Sequence, residues 1–416
     1  MAGPDDGAAL RLRHVTLADA SSADVTITAG RIAAVDPAGS TQAGADIDLT
    51  GYILLPGFVE PHAHLDKAFT ADAVVNPDGS LLGAILVWRA SRVDRTVDDI
   101  AARAWAVTRR YLAHGTVAIR AHIDVGDGID LRAIEALLSV RHALGDDLHL
   151  QIVALCSTPG TGLAGANYRA LLRDALAAGV DLVGGAPAID EDPGGAVDVL
   201  AGAAADAGVG LDLHVDETID ASVFSLGRLI DVARAGFAGS IAASHVVSLG
   251  VQPLLRQREV AAVLAEVGIS VVTLPQTNLY LQGRDLGSSA PRGLTAVRAL
   301  LEAGVSVSAG GDNLQDPFNP MGRADPLETA SLLVVAGHVL PPEALSAVTT
   351  AGRRLLGLPP VAIEVGCPAD LVAIRAPSLG GAMAGGSPER IVFRGGRVVA
   401  ETTLETRDAL AGRAPR

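Results

Sequence analysis

In "LPGFVEPHAHLDKAFT", Leu55 to Thr70, His62 and His64 stand one residue apart just after a short apolar run. In an extended segment, residues two apart project to the same face, so both imidazoles reach one point. That makes them either a metal-ligand pair or a pair of satisfied core histidines. His214 and Asp312 each follow a later apolar run and tip the balance toward metal. Three nitrogens and one oxygen with an open position suit a catalytic Zn²⁺ or Fe²⁺. Such an ion lowers the pKa of a bound water toward ~7.

Glu217 follows His214 at i+3 in "HVDE". A carboxyl at that spacing reaches the space over the metal without ligating it and can shuttle a proton. The competing assignment is an acid in the first turn of a helix, favoured by the macrodipole. His245 ends the apolar run "AASHVV" and reads as a water-orienting base or electrostatic partner. Lys67 is the only lysine among 32 basic residues; the rest are arginine. Either it pairs with Asp66 or another acid of its loop, or its compact ammonium contacts an oxygen or carboxylate of the substrate.

These residues need a scaffold that brings strand ends together. Short β-branched runs recur at "GFVEPHAH", "TVAIRAHID", "LQIVALCS", "DLVGGAP", "GLDLHVDE", "SIAASHVV", "SVVTLPQ" and "VSVSAGGDN". Segments with helical spacing, such as "LRAIEALLSVRHAL" and "YRALLRDALAAG", lie between them. Several stop at a glycine before the next strand, as a C-terminal cap requires. Strands alternating with helices in this way specify a (β/α)8 barrel over residues 57–360, with the strand-end residues at one mouth. Residues 1–56 and 361–416 read instead as short alternating strands, and are expected to form one small β-sandwich domain from both termini.

Composition fits this frame. The chain has 416 residues, 49% hydrophobic but 3% aromatic, so its core is built from Ala, Val, Leu and Ile. A net charge of -15 argues against a nucleic-acid partner. Cys156 and Cys367 lie far apart with no paired spacing, which suits a reducing cytoplasm and excludes a cysteine zinc site. The opening "MAGPDDGAAL" carries no signal-peptide pattern, and no stretch reads as a membrane span.

Taken together, the motifs "PGFVEPHAHLD", "AHIDV", "LQIVA", "HVDE", "ASH", "LQGR" and "GDNLQDPFNP" resemble the amidohydrolase superfamily, and its cytosine deaminase branch in particular, over nearly the whole chain. The resemblance implies His62, His64, His214 and Asp312 as ligands of one divalent ion, Zn or Fe. It implies Glu217, His245 and Asp312 in proton transfer, with Gln282 near the metal. Binuclear relatives use a lysine after strand four; here that segment is "LVGGAPAIDED", so a lysine-bridged pair of metals is excluded. The separate zinc deaminases with H-x-E and P-C-x-x-C are excluded too. Two positions depart from cytosine deaminases. Ser157 replaces a glutamine that reads the pyrimidine edge, and Asn313 replaces a second aspartate. Changed polar readers alter which ring is accepted. Phe318 keeps the place of an aromatic that packs near the ring.

The expected activity is a hydrolase of C–N bonds in cyclic amidines: a cytosine deaminase-like aminohydrolase removing an amino group from an N-heterocycle. A pterin, an isocytosine-type base or a triazine fits better than cytosine itself. The alternatives are a cyclic-amide hydrolase of the hydantoinase or dihydroorotase kind and a non-catalytic ligand-binding barrel. The expected partner is a small heterocycle, with no nucleic acid and no membrane, in a cytoplasmic homo-oligomer.

Overall fold

The computed structural model describes residues 9–39, 45–126, 128–158, 160–405 and 407. The first eight residues of the opening segment, expected to hold no export signal, lie outside them. Among the described residues no helix is long and apolar enough to cross a membrane.

The chain divides into two compact units, one of Met1–Gly57, Ala113–Gly115 and Ala362–Arg416, the other of Phe58–Leu112 and Thr116–Val361. The first unit carries β1 (Leu10–Thr16), β2 (Ser22–Thr28), β3 (Arg31–Pro37), β4 (Ala45–Asp48) and β5 (Tyr52–Pro56). The second carries β6 (Phe58–Ala63), β7 (Thr116–Val125), β8 (His149–Cys156), β9 (Leu182–Gly185), β10 (Gly210–Val215), β11 (Ile241–His245), β12 (Ser270–Thr273) and β13 (Val307–Ala309). The chain then returns to the first unit with β14 (Leu371–Arg375), β15 (Arg390–Arg394) and β16 (Arg397–Thr402).

In the two-ended unit the strands join into one sheet in the order β16-β15-β14-β5-β1-β2-β3, with β4 also on β1. β1 meets β4 through Leu10–Arg13 and β5 only at Thr16. This shared edge lets the sheet fold on itself. Leu12 and Val25 from one half and Leu54, Leu371 and Phe393 from the other belong to one core.

The second unit is a parallel sheet in strict chain order from β6 to β13. Its strands are buried along almost their whole length and its core is aliphatic, with few aromatics. Between strands run helices such as Arg132–Leu144 and Ala166–Ala177. The glycines expected to end helices do so with left-handed φ, 98° at Gly179 and 81° at Gly304. The barrel closes at its mouth. Beyond β13 the Asp312 N–H donates to the His62 carbonyl at 3.0 Å, and the His64 N–H donates to the Asp312 carbonyl at 3.2 Å.

Candidate active site

The closing seam carries three of the four expected ligands. It depends on glycine: a Cβ on Gly310 would sit 2.4 Å from Glu60 Oε1 and 3.1 Å from the His62 carbonyl. Glu60 lies beneath the seam and accepts the N–H groups of Gly311 at 2.9 Å and His62 at 3.1 Å. Burial pushes its carboxyl up to about 8. Asp312 and His245 hold left-handed φ of 62° and 70°, sparsely populated for side-chain-bearing residues and held here by the surrounding barrel.

His62, His64, His214 and Asp312 converge, with their ligand atoms within 4.8 Å of one another. His214 Nε2 lies 3.2 Å from both His62 Nε2 and His64 Nε2. Asp312 Oδ1 lies 3.2 Å from His64 Nε2 and 3.6 Å from His62 Nε2. His62 turns its Nδ1 to Ser244 Oγ at 2.9 Å, and His64 turns its Nδ1 to the His122 carbonyl at 3.0 Å. Lys67 Nζ lies 3.1 Å from the same Nδ1 of His64, while the Nε2 of that ring faces His214 and Asp312. Burial lowers the His62 and His214 imidazolium pKa well below the usual value, so both rings are neutral. Both carboxylate oxygens of Asp312 are buried without a hydrogen-bond partner. Neutral nitrogens and an unpartnered carboxylate aimed at one point are mutually unfavourable until a cation joins them. The residues present therefore fit a divalent metal, and their donor set is that of a catalytic zinc or iron site.

Glu217 lies past the end of β10 in irregular backbone; the next helix is Leu226–Arg234. Its alternative assignment as a helix N-terminal acid is therefore removed. Asp216 serves that helix instead, accepting from Ser225 N–H at 2.8 Å and Leu226 N–H at 3.1 Å, and so frees its neighbour for the cavity. Asn278 Nδ2 sits 3.2 Å from Glu217 Oε1 and 3.1 Å from His245 Nδ1 and ties the two together. His245 Nε2 is buried with no partner. Burial lowers His245 to about 4. Burial, then the Asp312 charge, raises Glu217 well above the carboxyl range. A bound cation would draw it back down. Gln282 donates from Nε2 to the Glu217 carbonyl at 3.1 Å and so holds the loop rather than the acid itself.

Over this cluster opens a cavity of about 830 Å³. Every site residue named from sequence lines it except His62, which is fully buried behind the other ligands. Its far wall contains groups that sequence reasoning missed. Lys67 Nζ donates to Asp124 Oδ1 at 2.8 Å, and Asp66 Oδ1 lies 3.7 Å away. Trp88 Nε1 donates to Asp124 Oδ2 at 2.7 Å, and Arg92 Nη1 lies 3.3 Å from the same oxygen. Burial disfavours these charges. Even so, the two carboxylates raise Lys67, and Lys67 with Arg92 holds Asp124 well below its usual range. Lys67 is thus both paired, chiefly with the end of β7 rather than within its own loop, and part of the cavity wall. Arg92 Nη1 also reaches Ser157 Oγ at 3.3 Å. Asn313 spends its amide N–H on Asp316 Oδ2 at 2.7 Å, and Asp316 accepts the Phe318 N–H at 2.8 Å, which fixes the aromatic. Trp88, one of two tryptophans in the chain, and Arg92 come from the helix Leu81–Ser91, capped by Ser80, and the turn that follows it.

Residues 102–399 match the Amidohydrolase family. A pterin deaminase of Rhizobium rhizogenes is 34% identical over 393 residues, covering 93% of this chain and 90% of that protein. The crystal structure of 5-methylcytosine deaminase from Klebsiella pneumoniae liganded with 5-fluorocytosine superposes with a TM-score of 0.87 at 28% identity, covering 97% of this chain and 100% of that one. N-isopropylammelide isopropylaminohydrolase from Burkholderia multivorans superposes with a TM-score of 0.81 at 32% identity, covering 95% and 98%. By its sequence match, its relatives and its converging ligand set, the chain belongs to the amidohydrolase family.

Proposed function

We propose that the protein is a metal-dependent aminohydrolase that removes an amino group from an oxo-substituted N-heterocycle, with a bicyclic ring of the pterin kind as its substrate class. The observation that carries this reading is the tied Glu217–Asn278–His245 group beside four converging ligand atoms at the floor of one cavity. His62, His64, His214 and Asp312 would hold one divalent ion, zinc or iron, which when bound supplies an acidified water and positive charge. His245 Nδ1 faces the Asn278 amide N–H, which leaves the proton of the neutral ring on Nε2, where it orients the attacking water. Asp312 takes the water proton on the oxygen not turned toward the ligand nitrogens. Glu217 Oε1 stays with Asn278; its second oxygen gives a proton to the ring nitrogen, then takes up the second water proton and hands it to the departing amine, and the proton held by Asp312 returns to Glu217. Ammonia leaves, and the carbon keeps the water oxygen as a carbonyl.

Three features support a ring larger than cytosine. Ser157 leaves room where a longer reader would stand, and the cavity of about 830 Å³ far exceeds the volume of a single pyrimidine. The 34% identical relative is named a pterin deaminase. On the far wall the charges of Lys67 and Arg92 are balanced by Asp66 and Asp124. This wall suits a neutral ring oxygen, which accepts an N–H of Lys67, better than a carboxylate. Phe318 and Trp88 give the ring flat apolar surfaces. The test is a coupled ammonia assay over cytosine, isocytosine, aminotriazines and pterins. Ammonia from pterins in preference to cytosine supports the reading. Ring opening of hydantoin or dihydroorotate without ammonia would move the protein to the cyclic-amide hydrolases.

A further inference from the structure

Immediately beneath the ligand cluster the barrel interior is polar, where branched aliphatic side chains normally fill such layers. Asp212, Ser244 and His122 are fully buried and Arg120 is 2% exposed. Asp212 and His214 alternate on β10 and face inward together. Ser244 on β11 is in register with His214. Arg120 and His122 stand in the same relation on β7. A buried ion pair gains little stability over an apolar pair of the same volume, so this layer calls for another reason.

The hydrogen bonds run in one direction. Arg120 Nη2 donates to the Leu355 carbonyl at 2.8 Å and its Nε to Gln151 Oε1 at 3.0 Å, so the guanidinium is pinned. Its Nη1 donates to Asp212 Oδ2 at 2.8 Å. Asp212 Oδ1 lies 2.8 Å from Ser244 Oγ, and Ser244 Oγ lies 2.9 Å from His62 Nδ1. An ionised carboxylate only accepts, and a hydroxyl has one proton. The Ser244 proton therefore goes to Asp212. The hydroxyl oxygen is left to accept, so the His62 proton must sit on Nδ1. That strips His62 Nε2 of its proton and aims a lone pair at His214 Nε2 and Asp312. His122 stacks on His62 with centroids 3.7 Å apart and restrains the ring from turning. Although His62, His122 and Asp212 also come within 4.8 Å of one another, the Arg120 charge on Asp212 marks that group as a relay and not as a second metal site.

We infer that Asp212 and Ser244, anchored by Arg120, are positioning residues that set the tautomer of His62 and so create its metal-ligating nitrogen. The inference rests on the metal-site reading above. With the relay intact, His62 enters metal binding already in the ligating tautomer. Without the Ser244 hydroxyl, Nδ1 has no acceptor and the proton is free to move to Nε2, where it opposes the ion.

Two measurements on the full-length protein test this. Histidine-selective ¹⁵N labelling of metal-free wild type reads the His62 tautomer directly; Nδ1–H is expected, and a predominant Nε2–H form overturns the relay. Zinc affinity, read by competition with a chelating dye, should fall in Ser244→Ala by roughly 10–100-fold, the usual scale for partners of ligating histidines. Ser244→Thr, which keeps the hydroxyl, should restore it. Unchanged zinc affinity in Ser244→Ala overturns the proposal. If Ser244→Ala fails to fold, the wild-type tautomer decides alone. A wild type that binds no zinc sinks the metal-site reading instead, and the tautomer still decides the relay.

Discussion

At the ligand wall, His62, His64, His214 and Asp312 bring four ligand atoms together, and both Asp312 oxygens are buried without a hydrogen-bond partner. At the far wall, Lys67, Trp88 and Arg92 surround Asp124 until both of its oxygens are taken. The first wall is incomplete without a cation. In the second, the charges of Lys67 and Arg92 are balanced by Asp66 and Asp124. Removing a residue from the ligand wall should therefore cost metal and activity while sparing the fold. Removing a residue from the far wall should cost the fold first.

The largest effect expected is from His214→Ala, which should lose bound metal and all activity while keeping the barrel's circular dichroism. Retained metal in that variant would dissolve the contrast. Next is Asp124→Ala, which leaves Lys67 and Arg92 buried without their shared carboxylate. Breaking such a pair costs about 3–5 kcal/mol, so urea unfolding should shift by that amount, and an unshifted midpoint would show that the far wall does not support the fold. Glu217→Gln belongs to neither wall. It should keep metal and stability and lower kcat by roughly 10²-fold or more; near wild-type turnover would end its role as proton carrier.

The ligand wall was legible in the sequence because its logic is local. HxH on a strand, a histidine and an aspartate at later strand ends, and HVDE all follow from period-2 alternation and from strand ends meeting at a barrel mouth. Of the far wall, Lys67 was legible as the chain's single lysine, but Trp88 and Arg92 were not, since they lie in and just after a helix that could turn any face to the cavity. Nothing in a 3.6-residue pattern says that Trp88 meets Asp124, 36 residues further on. The layer beneath the metal was hidden for the opposite reason: Arg120, Asp212 and Ser244 sit in strands whose inward positions are expected to be apolar. Glu217 was ambiguous because "DET" reads as a helix start, and only the reach of Asp216 to Ser225 shows that the helix begins later.

Smaller effects sharpen the far wall's second role. Lys67→Met removes a donor to the substrate oxygen and should raise KM for a neutral oxo-heterocycle by about 10-fold, equivalent to about 1.4 kcal/mol. It should destabilise less than Asp124→Ala, because Asp124 keeps Arg92 and Trp88. An unchanged KM across the heterocycle panel would make Lys67 purely structural. The smallest effect belongs to Ser157→Gln, which should move preference from pterins toward cytosine by a few-fold; no movement would place the ring elsewhere in the cavity.

The most direct test is a titration of metal-free protein with zinc, following bound ion and ammonia release from pterin in the same samples. The account requires both to rise together and to level at about one ion per chain, as four ligands without a bridging lysine dictate. Activity that levels only at two ions per chain, or a fully loaded protein that releases no ammonia from any aminoheterocycle, would contradict it.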